Sequence, residues 1–233
     1  MDFKDYVQQG YKYFQDGIMD KALENFEAAL KLQPDSNETK QLIENTRMRM
    51  EFELKKTQAL FNEIKHRLGF IGITNIDNTE ISDVEKVISV SIDSYKNNPN
   101  DETVIMQLSD AYYIHGLMCM LKKDNINAIK DFSEAFRINP DFVLALNKRA
   151  TLNREMKNFE QAINDYKEVI TLNPDNDQTK VNLASVYMQR GVSFFDKKEY
   201  TYAISDFEIA LKYNPDNKNT IEFLAMAKTE MVK

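Results

Sequence analysis

The sequence predicts an all-α protein made of repeated helical hairpins, and three observations point to this fold class. First, helix breakers are scarce: the 233 residues include six Gly and five Pro, alongside many strong helix formers. Second, every proline follows an apolar segment of helical character. Third, a stripe of small and aromatic residues recurs at fixed distances before four of the prolines. The first two observations predict helices, and the third predicts that the helices repeat.

The five prolines share one sequence context. Each is preceded by Gln or Asn and followed by Asp or Asn. Proline lacks a backbone N–H and disfavours a helical conformation in the residue before it, so each triplet predicts the end of a helix. The predicted helix stops lie at Pro34, Pro99, Pro140, Pro174 and Pro215.

A stripe of three side chains precedes four of these prolines at constant spacing. Its members lie twelve, eight and five residues before the proline, which places them on one face of a helix. The four stripes are Ala22, Phe26 and Ala29; Ala128, Phe132 and Ala135; Ala162, Tyr166 and Val169; and Ala203, Phe207 and Ala210. A residue with little or no side chain lies twelve positions further upstream, where two helices can cross closely. These residues are Gly10, Gly116, Ala150 and Gly191.

This pattern resembles the tetratricopeptide repeat, a helix–turn–helix unit of about 34 residues. The matching segments are residues 3–36, 109–142, 143–176 and 184–217. The resemblance implies a right-handed α-α superhelix of about five helical hairpins. Because each repeat buries its stripe only against the next unit, a terminal helix must seal the array. Residues 218–233, with Ile221, Phe223, Leu224 and Met226, are expected to form this capping helix.

The spacing of the prolines departs from the standard repeat. Consecutive prolines are 65, 41, 34 and 41 residues apart. In the two intervals of 41 residues, the seven extra residues add about two turns, which predicts long first helices over 101–121 and 177–195. We therefore divide the chain into a first repeat (1–36), a long helix with a degenerate repeat (37–99), three repeats (100–217) and a capping helix (218–233).

The interval of 65 residues contains a long helical segment at about 37–68 with a heptad-like seam. The seam consists of Met50, Leu54, Thr57, Phe61, Ile64 and Leu68. It predicts either packing within the chain, which we favour because Thr57 weakens the seam, or a dimer contact with a second copy. A further helix is predicted at 81–96, although residues 88–92 alternate as a half-buried strand would.

Composition and charge argue against several classes of partner. The formal net charge is −7 and no run of basic residues occurs, so we expect neither nucleic acid nor an anionic membrane as a ligand. The single cysteine, Cys119, cannot form an internal disulfide. The N-terminus lacks the features of a secretory signal, and no run of 18 apolar residues occurs. We therefore expect a cytoplasmic protein.

The sequence contains few candidates for catalysis or metal binding. It has neither a Cys-x-x-Cys motif nor a phosphate-binding loop, and its two histidines are His66 and His115. His115 and Cys119 lie four residues apart on a predicted helix and could pair a base with a thiol, but Cys119 occupies a position expected to be core. The oxygen-rich loop 74–80 lacks the spacing of a calcium loop, and either Thr79 or Ser82 is expected to cap the next helix. We therefore expect no catalytic residue, no metal and no cofactor.

The resemblance to tetratricopeptide repeats also nominates surface residues. In that family the first helix of each repeat lines a groove that receives a peptide. The corresponding residues are Tyr113, Leu117, Met120, Leu121, Asn147, Lys148, Thr151, Arg154, Met188, Gln189, Val192 and Phe195. They form two apolar zones around a polar, basic one. Such a surface suits a peptide or helix of another protein, with Lys148 and Arg154 binding carboxylate or carbonyl groups.

Some family members bind the C-termini of heat-shock chaperones through a two-carboxylate clamp of Lys, Asn and Arg. Here the clamp positions hold Tyr113 and Leu117, then Lys148, then Ser185 and Gln189. The sequence therefore argues against a chaperone C-terminus as partner.

The resemblance therefore implies a protein-binding adaptor or assembly scaffold. A self-associating structural protein that oligomerises through the 50–68 seam or a solenoid end is the alternative, and an enzyme using Cys119 is a third class.

Overall fold

The computed structural model describes residues 1–73 and 80–232, apart from the side chain of Phe61. The helices are α1 (Phe3–Gln15), α2 (Met19–Leu32), α3 (Asn37–Leu68), α4 (Ile81–Asn97), α5 (Glu102–Leu121), α6 (Asn125–Ile138), α7 (Val143–Glu155), α8 (Phe159–Leu172), α9 (Asp177–Asp196), α10 (Tyr200–Tyr213) and α11 (Lys218–Met231). A 3₁₀ helix at Gly69–Ile71 follows α3. No strand occurs in the described residues, which confirms the all-α helical-repeat class.

Two compact units divide the chain, Met1–Glu63 and Ile64–Lys233. The boundary falls within α3, so the first part of this helix belongs to the first unit and its last turn to the second. The division of residues 37–99 into a long helix and a degenerate repeat stays a prediction. None of the helices in 1–73 and 80–232 has the length and apolar character needed to span a membrane.

The predicted helix stops are confirmed at all five prolines. The helices α2, α4, α6, α8 and α10 each end two residues before a proline. The prediction of long first helices is also confirmed, since α5 and α9 each have 20 residues whereas α7 has 13. Residues 88–92 lie within α4, so the strand alternative is wrong. The helical environment on both sides and packing against α5 outweigh the local alternation.

The four stripes form the centre of each helical hairpin. All twelve side chains are at most 1% exposed. In the second unit, Tyr166 of α8 packs in one cluster with Ala150 of α7 and with Leu183 and Val186 of α9. The stripe of one repeat is therefore covered by its own first helix and by the first helix of the next repeat. This arrangement explains why neighbouring hairpins depend on each other for a core.

Close approach of the two helices requires the small residue of the first helix. A methyl group added at Gly116 would lie 2.8 Å from a ring carbon of Phe132, and one added at Gly191 would lie 2.7 Å from Phe207. The repeat at 143–176 has Ala150 at this position, and Ala150 lies in one core cluster with Tyr166. The turn that follows the first helix is also repeated, because Lys123, Lys157 and Lys198 all adopt a positive φ of 60–62°.

The terminal helix α11 covers the last repeat. The prediction that Ile221 and Met226 belong to its buried face is wrong. Thr220 and Ala227 are buried, and Phe223 and Leu224 pack against Ala203 and Phe207. Ile221 and Met226 are 47% and 51% exposed. The buried side of α11 therefore runs through positions 220, 224 and 227, spaced by four and three residues, so the neighbouring apolar residues face water.

The first unit is sealed in a similar way by the start of α3. Thr39 and Ile43 are buried there, and Ile43 packs with Ala22 and Phe26. Arg47 of α3 bonds Glu27 of α2 at 2.7 Å, in the same relative positions at which Lys228 of α11 bonds Glu208 of α10 at 2.9 Å. The beginning of α3 thus serves the first unit as α11 serves the second.

Replacing Gly116 with alanine is expected to destabilise the protein by about 1–3 kcal/mol, although alanine has the higher helix propensity. The added methyl would meet the Phe132 ring, which is buried and cannot move without disturbing its neighbours. Urea denaturation followed by circular dichroism measures the free energy of unfolding. The control is Gly69→Ala, because nothing in residues 1–73 and 80–232 beyond its chain neighbours lies within 4 Å of the added methyl. Equal stability of the two variants would show that the Phe132 ring does not require glycine opposite it.

Candidate functional site

The predicted groove residues lie on three first helices of the second unit, α5, α7 and α9. These helices are the first helices of three successive repeats, so the predicted surface consists of corresponding positions in each repeat. Ten of the twelve nominated residues are partly exposed, and two are not.

Tyr113 and Leu117 are fully buried, so their assignment to an exposed surface is wrong. The Tyr113 ring packs 5.4 Å from the Phe132 ring and 5.0 Å from the Phe142 ring. On the side of α3, the Arg67 guanidinium lies 4.7 Å from the Tyr113 ring and forms an ion pair with Asp110. The last turn of α3 therefore lies beside this part of α5, and the predicted first apolar zone is reduced to Met120 and Leu121, which are half-buried.

The middle zone, on α7, keeps its polar character. Asn147, Lys148 and Arg154 are partly exposed. The Thr151 hydroxyl is 2.9 Å from the Tyr166 hydroxyl and donates to the carbonyl of Asn147 at 2.9 Å. Thr151 therefore holds α7 to α8 and contributes less to the surface than the sequence suggested.

The last zone forms a pocket of about 370 Å³. Three nominated residues of α9, Met188, Gln189 and Val192, line it. The other lining residues come from the turn between α7 and α8, from the start of α8, from α9 and from α11. They are Lys157, Phe159, Ser193, Asp196 and Phe223. Phe195 turns towards the end of the unit, where its ring lies 5.5 Å from Tyr200 and 6.2 Å from Phe223.

The pocket combines an apolar lining with opposite charges. Met188, Val192 and Phe223 provide the apolar part, while Lys157 and Asp196 are exposed. Sequence reasoning missed Phe159 and Phe223, because it assigned binding to first helices alone. The repeat spacing gave no sign that the terminal helix would bring Phe223 beside α9.

A repeated ion pair fixes the first helix of each repeat beneath this surface. Arg149 binds Asp165 through two hydrogen bonds of 2.9 and 2.7 Å. Arg190 binds Asp206 in the same way, at 2.8 and 2.7 Å, and also contacts Glu160. Hydrogen bonding to the buried carboxylates raises the pKa of both guanidinium groups. These pairs hold α7 and α9 in place against their second helices.

The equivalent pair in the preceding repeat contains histidine. His115 Nδ1 lies 2.7 Å from Asp131 Oδ2, and this hydrogen bond raises the pKa of His115 despite its burial. Cys119 is 4% exposed, and its Sγ lies 3.9 Å from the same nitrogen. Burial and the negative charges of Asp131 and Asp124 raise the pKa of the Cys119 thiol to about 11. The thiol is therefore protonated near neutral pH, which is the opposite of what a catalytic cysteine requires.

Residues 74–79 of the loop considered for cation binding, 74–80, lie outside the described residues, as does the proposed cap Thr79. Helix α4 begins at Ile81, and Glu80 is its N-cap, paired with Asp83 in a capping box. The Ser82 alternative is therefore wrong. Ser82 is the second residue of α4, two positions after the N-cap, so its side chain is not at the capping position.

Comparison with known proteins identifies two of the repeats. The tetratricopeptide-repeat sequence profiles match residues 109–142 and 143–176. The chain is 25% identical over 179 residues to a DnaJ homolog subfamily C member 7 homolog of Dictyostelium discoideum, covering 76% of this chain and 29% of that protein. It is 33% identical over 60 residues to mouse sperm-associated antigen 1, covering 26% of this chain and 7% of that protein. The chain thus spans less than a third of either relative.

Among solved structures, the chain is similar to the MamA protein. The alignment has 18% sequence identity and a TM-score of 0.37, and it covers 93% of this chain and 94% of that one.

Replacing Asp206 with alanine is expected to cost about 3 kcal/mol, because Arg190 would lose both hydrogen bonds of a buried pair. Glu134→Ala is the control, since it removes an exposed pair with Arg137 on one helix and should cost less than about 0.5 kcal/mol. Thermal and urea denaturation measure both. Similar losses in the two variants would show that the repeated ion pair does not hold the helices together.

Cys119 is expected to react with a thiol reagent at pH 7.5 at least about tenfold more slowly in the native protein than in urea. The reason is that the thiol is both buried and protonated in the folded chain. The measurement is a chromogenic thiol titration with a chelator present. Fast, complete reaction of the native chain would instead indicate an accessible thiolate.

Proposed function

This chain is a tetratricopeptide-repeat protein, and we propose that it binds another protein by receiving a short peptide or helix along α7 and α9. Repeats of this kind are typical of protein-protein interaction adaptors. We also propose a cytoplasmic location, in keeping with the single buried, unpaired cysteine.

The pocket beside α9 is the observation that carries the proposal. Its volume of about 370 Å³ lies in the range of ligand sites, and four of its eight lining residues are apolar. Met188 and Val192 lie one turn apart on α9, with Phe223 of α11 also lining the pocket. This space suits one large apolar side chain of a partner, since burial of such a side chain supplies most of the affinity of a short peptide.

The polar residues of α7 supply the second contact. Asn147 and Arg154 are partly exposed, and Arg154 lies three residues before Lys157, which lines the pocket. A guanidinium group binds a carboxylate through two hydrogen bonds, and an amide binds backbone groups of an extended peptide. We therefore expect the partner to carry an acidic group near its apolar anchor.

The residues at the positions of the chaperone clamp favour a ligand other than a chaperone C-terminus. The side-chain amide of Gln189 donates a hydrogen bond to the Ser185 hydroxyl at 3.2 Å, so these two polar groups are hydrogen-bonded to each other. Tyr113 and Leu117 are buried and cannot contact a peptide. The site thus has an apolar anchor pocket where the clamp would have cations.

Val192→Glu is expected to weaken peptide binding by at least about tenfold, because it places a charge in the apolar pocket. Peptides would be selected from a displayed random library on the full chain, and their affinity measured by fluorescence anisotropy. The matched control is Val181→Glu, on the same helix, where valine is 41% exposed and does not line the pocket. Circular dichroism confirms that both variants fold. Equal affinity of both variants would move the binding site away from α9.

Self-association through α3 is a second candidate, because one stretch of that helix exposes large apolar side chains. Residues 51–59 are all exposed, with Phe52 at 65% and Leu54 at 69%. The seam itself is divided, since Ile64 and Leu68 are buried in the second unit while Leu54 and Thr57 face solvent. Phe61 lies outside the described side chains. A dimer contact would therefore use the first half of the seam.

Sedimentation velocity tests this candidate. A dimer formed through α3 gives a sedimentation coefficient that rises with concentration, and Leu54→Glu abolishes that rise. Val90→Glu is the control, because Val90 has the same 69% exposure but lies on α4. A monomer at every concentration would exclude the second candidate without bearing on the peptide site.

A further inference from the structure

His115, Cys119 and Asp131 bring three metal-ligating side chains together between α5 and α6. Their ligand atoms all lie within 4.8 Å of one another. His115 and Cys119 are four residues apart on α5 and therefore share one face, while Asp131 faces them from α6. The spacing in the sequence concealed this cluster, because the aspartate comes 16 residues after the histidine.

The cluster is specific to one repeat. Arginine occupies the histidine position in the following repeats, where Arg149 and Arg190 pair with aspartates. The cysteine position holds Asn153 and Phe194 in those repeats. The fold therefore needs a cation beside the aspartate but needs neither an imidazole nor a thiol. Both changes together replace a fixed positive charge by a set of donors that can bind a metal ion.

A carboxylate lies near the second ring nitrogen of His115, as is common for histidines that bind a metal. Nε2 is buried and lacks a hydrogen bond in the part of the chain that the structure describes, and Oε1 of Glu85 lies 3.5 Å away. Glu85 is 59% exposed in its side chain and can approach. In metal sites a carboxylate commonly accepts the proton of the other ring nitrogen, which orients the ring and strengthens the ligand.

We propose that His115 Nδ1, Cys119 Sγ and Asp131 bind a zinc ion, with water as the fourth ligand. One thiolate, one imidazole and one carboxylate are ligands that zinc accepts in tetrahedral geometry. At zinc bond lengths of about 2.0–2.3 Å, these ligand atoms stand about 3.3–3.6 Å apart. The observed separations from Nδ1 are 2.7 Å to Asp131 and 3.9 Å to Cys119, each within about 1 Å of these values, and the third pair of ligand atoms also lies within 4.8 Å.

Charge balance favours a divalent ion at this site. Binding of Zn²⁺ releases the thiol proton to solvent and leaves the imidazole neutral, with Nδ1 bound to the metal and its one proton on Nε2. The thiolate and the Asp131 carboxylate then carry two negative charges that neutralise the ion. The metal would take over the role that arginine has in the following repeats and would join α5 to α6 by direct bonds.

Metal titration of the full chain, prepared free of metal under reducing conditions, tests the site. We expect one Co²⁺ per chain with a thiolate-to-cobalt absorption band, displacement of that band by Zn²⁺, and a higher melting temperature with Zn²⁺. Cys119→Ser and Asp131→Asn should each weaken zinc binding by at least about tenfold in calorimetry. Absence of the cobalt band in the wild-type chain would overturn the proposal.

Two further variants distinguish this site from zinc binding elsewhere on the chain. Glu85→Gln changes an exposed side chain, so the chain should remain folded while zinc affinity falls by about tenfold. His66→Ala removes the other histidine, which is exposed on α3, and should leave affinity unchanged. Loss of binding in His66→Ala, or unchanged binding in Cys119→Ser, Asp131→Asn and Glu85→Gln, would place the metal elsewhere and refute the site.

Discussion

The contact between the aromatic ring of the second helix and the small residue of the first determines how each hairpin is built. Where glycine is present, the ring lies so close that an added methyl group would overlap it, as Gly116 and Phe132 illustrate. The distance between the two helices follows from this contact. In the three repeats of residues 100–217 the neighbouring side chains meet as well, because a basic residue precedes the small one and an aspartate precedes the aromatic one. The buried ion pairs therefore depend on the packing beside them.

The proposed binding surface depends on which parts of the first helices the hairpins leave uncovered. On α5 little of the predicted surface remains, since Tyr113 lies within a group of rings with Arg67 against it. On α9 a pocket persists between the start of α8 and the capping helix, with Val192 in its lining. The same family of positions thus contributes core in one repeat and a candidate binding pocket in another. The neighbouring elements, and not the residue type, decide between these outcomes.

The departure of one repeat from the common ion pair has a chemical consequence. Arg149 and Arg190 carry a permanent positive charge beside their aspartates, so protonation of the basic partner does not change these contacts near neutral pH. His115 carries a proton that a metal ion can replace, and Cys119 adds a soft ligand four residues away. A structural contact of the fold thereby becomes a candidate zinc site through two changes of side chain.

The sequence alone determined the helix stops, the buried stripes and the lengths of the first helices. These features are local, because proline restricts its own neighbourhood and helical periodicity places the stripe residues on one face. Tertiary structure alone decided which of the predicted surface residues are accessible. Tyr113 and Val192 both lie on first helices, but one is covered by rings from elsewhere in the chain and the other lines an open pocket. The tertiary structure also brought His115 beside Asp131, since contacts between helices depend on how hairpins pack and not on spacing along one helix.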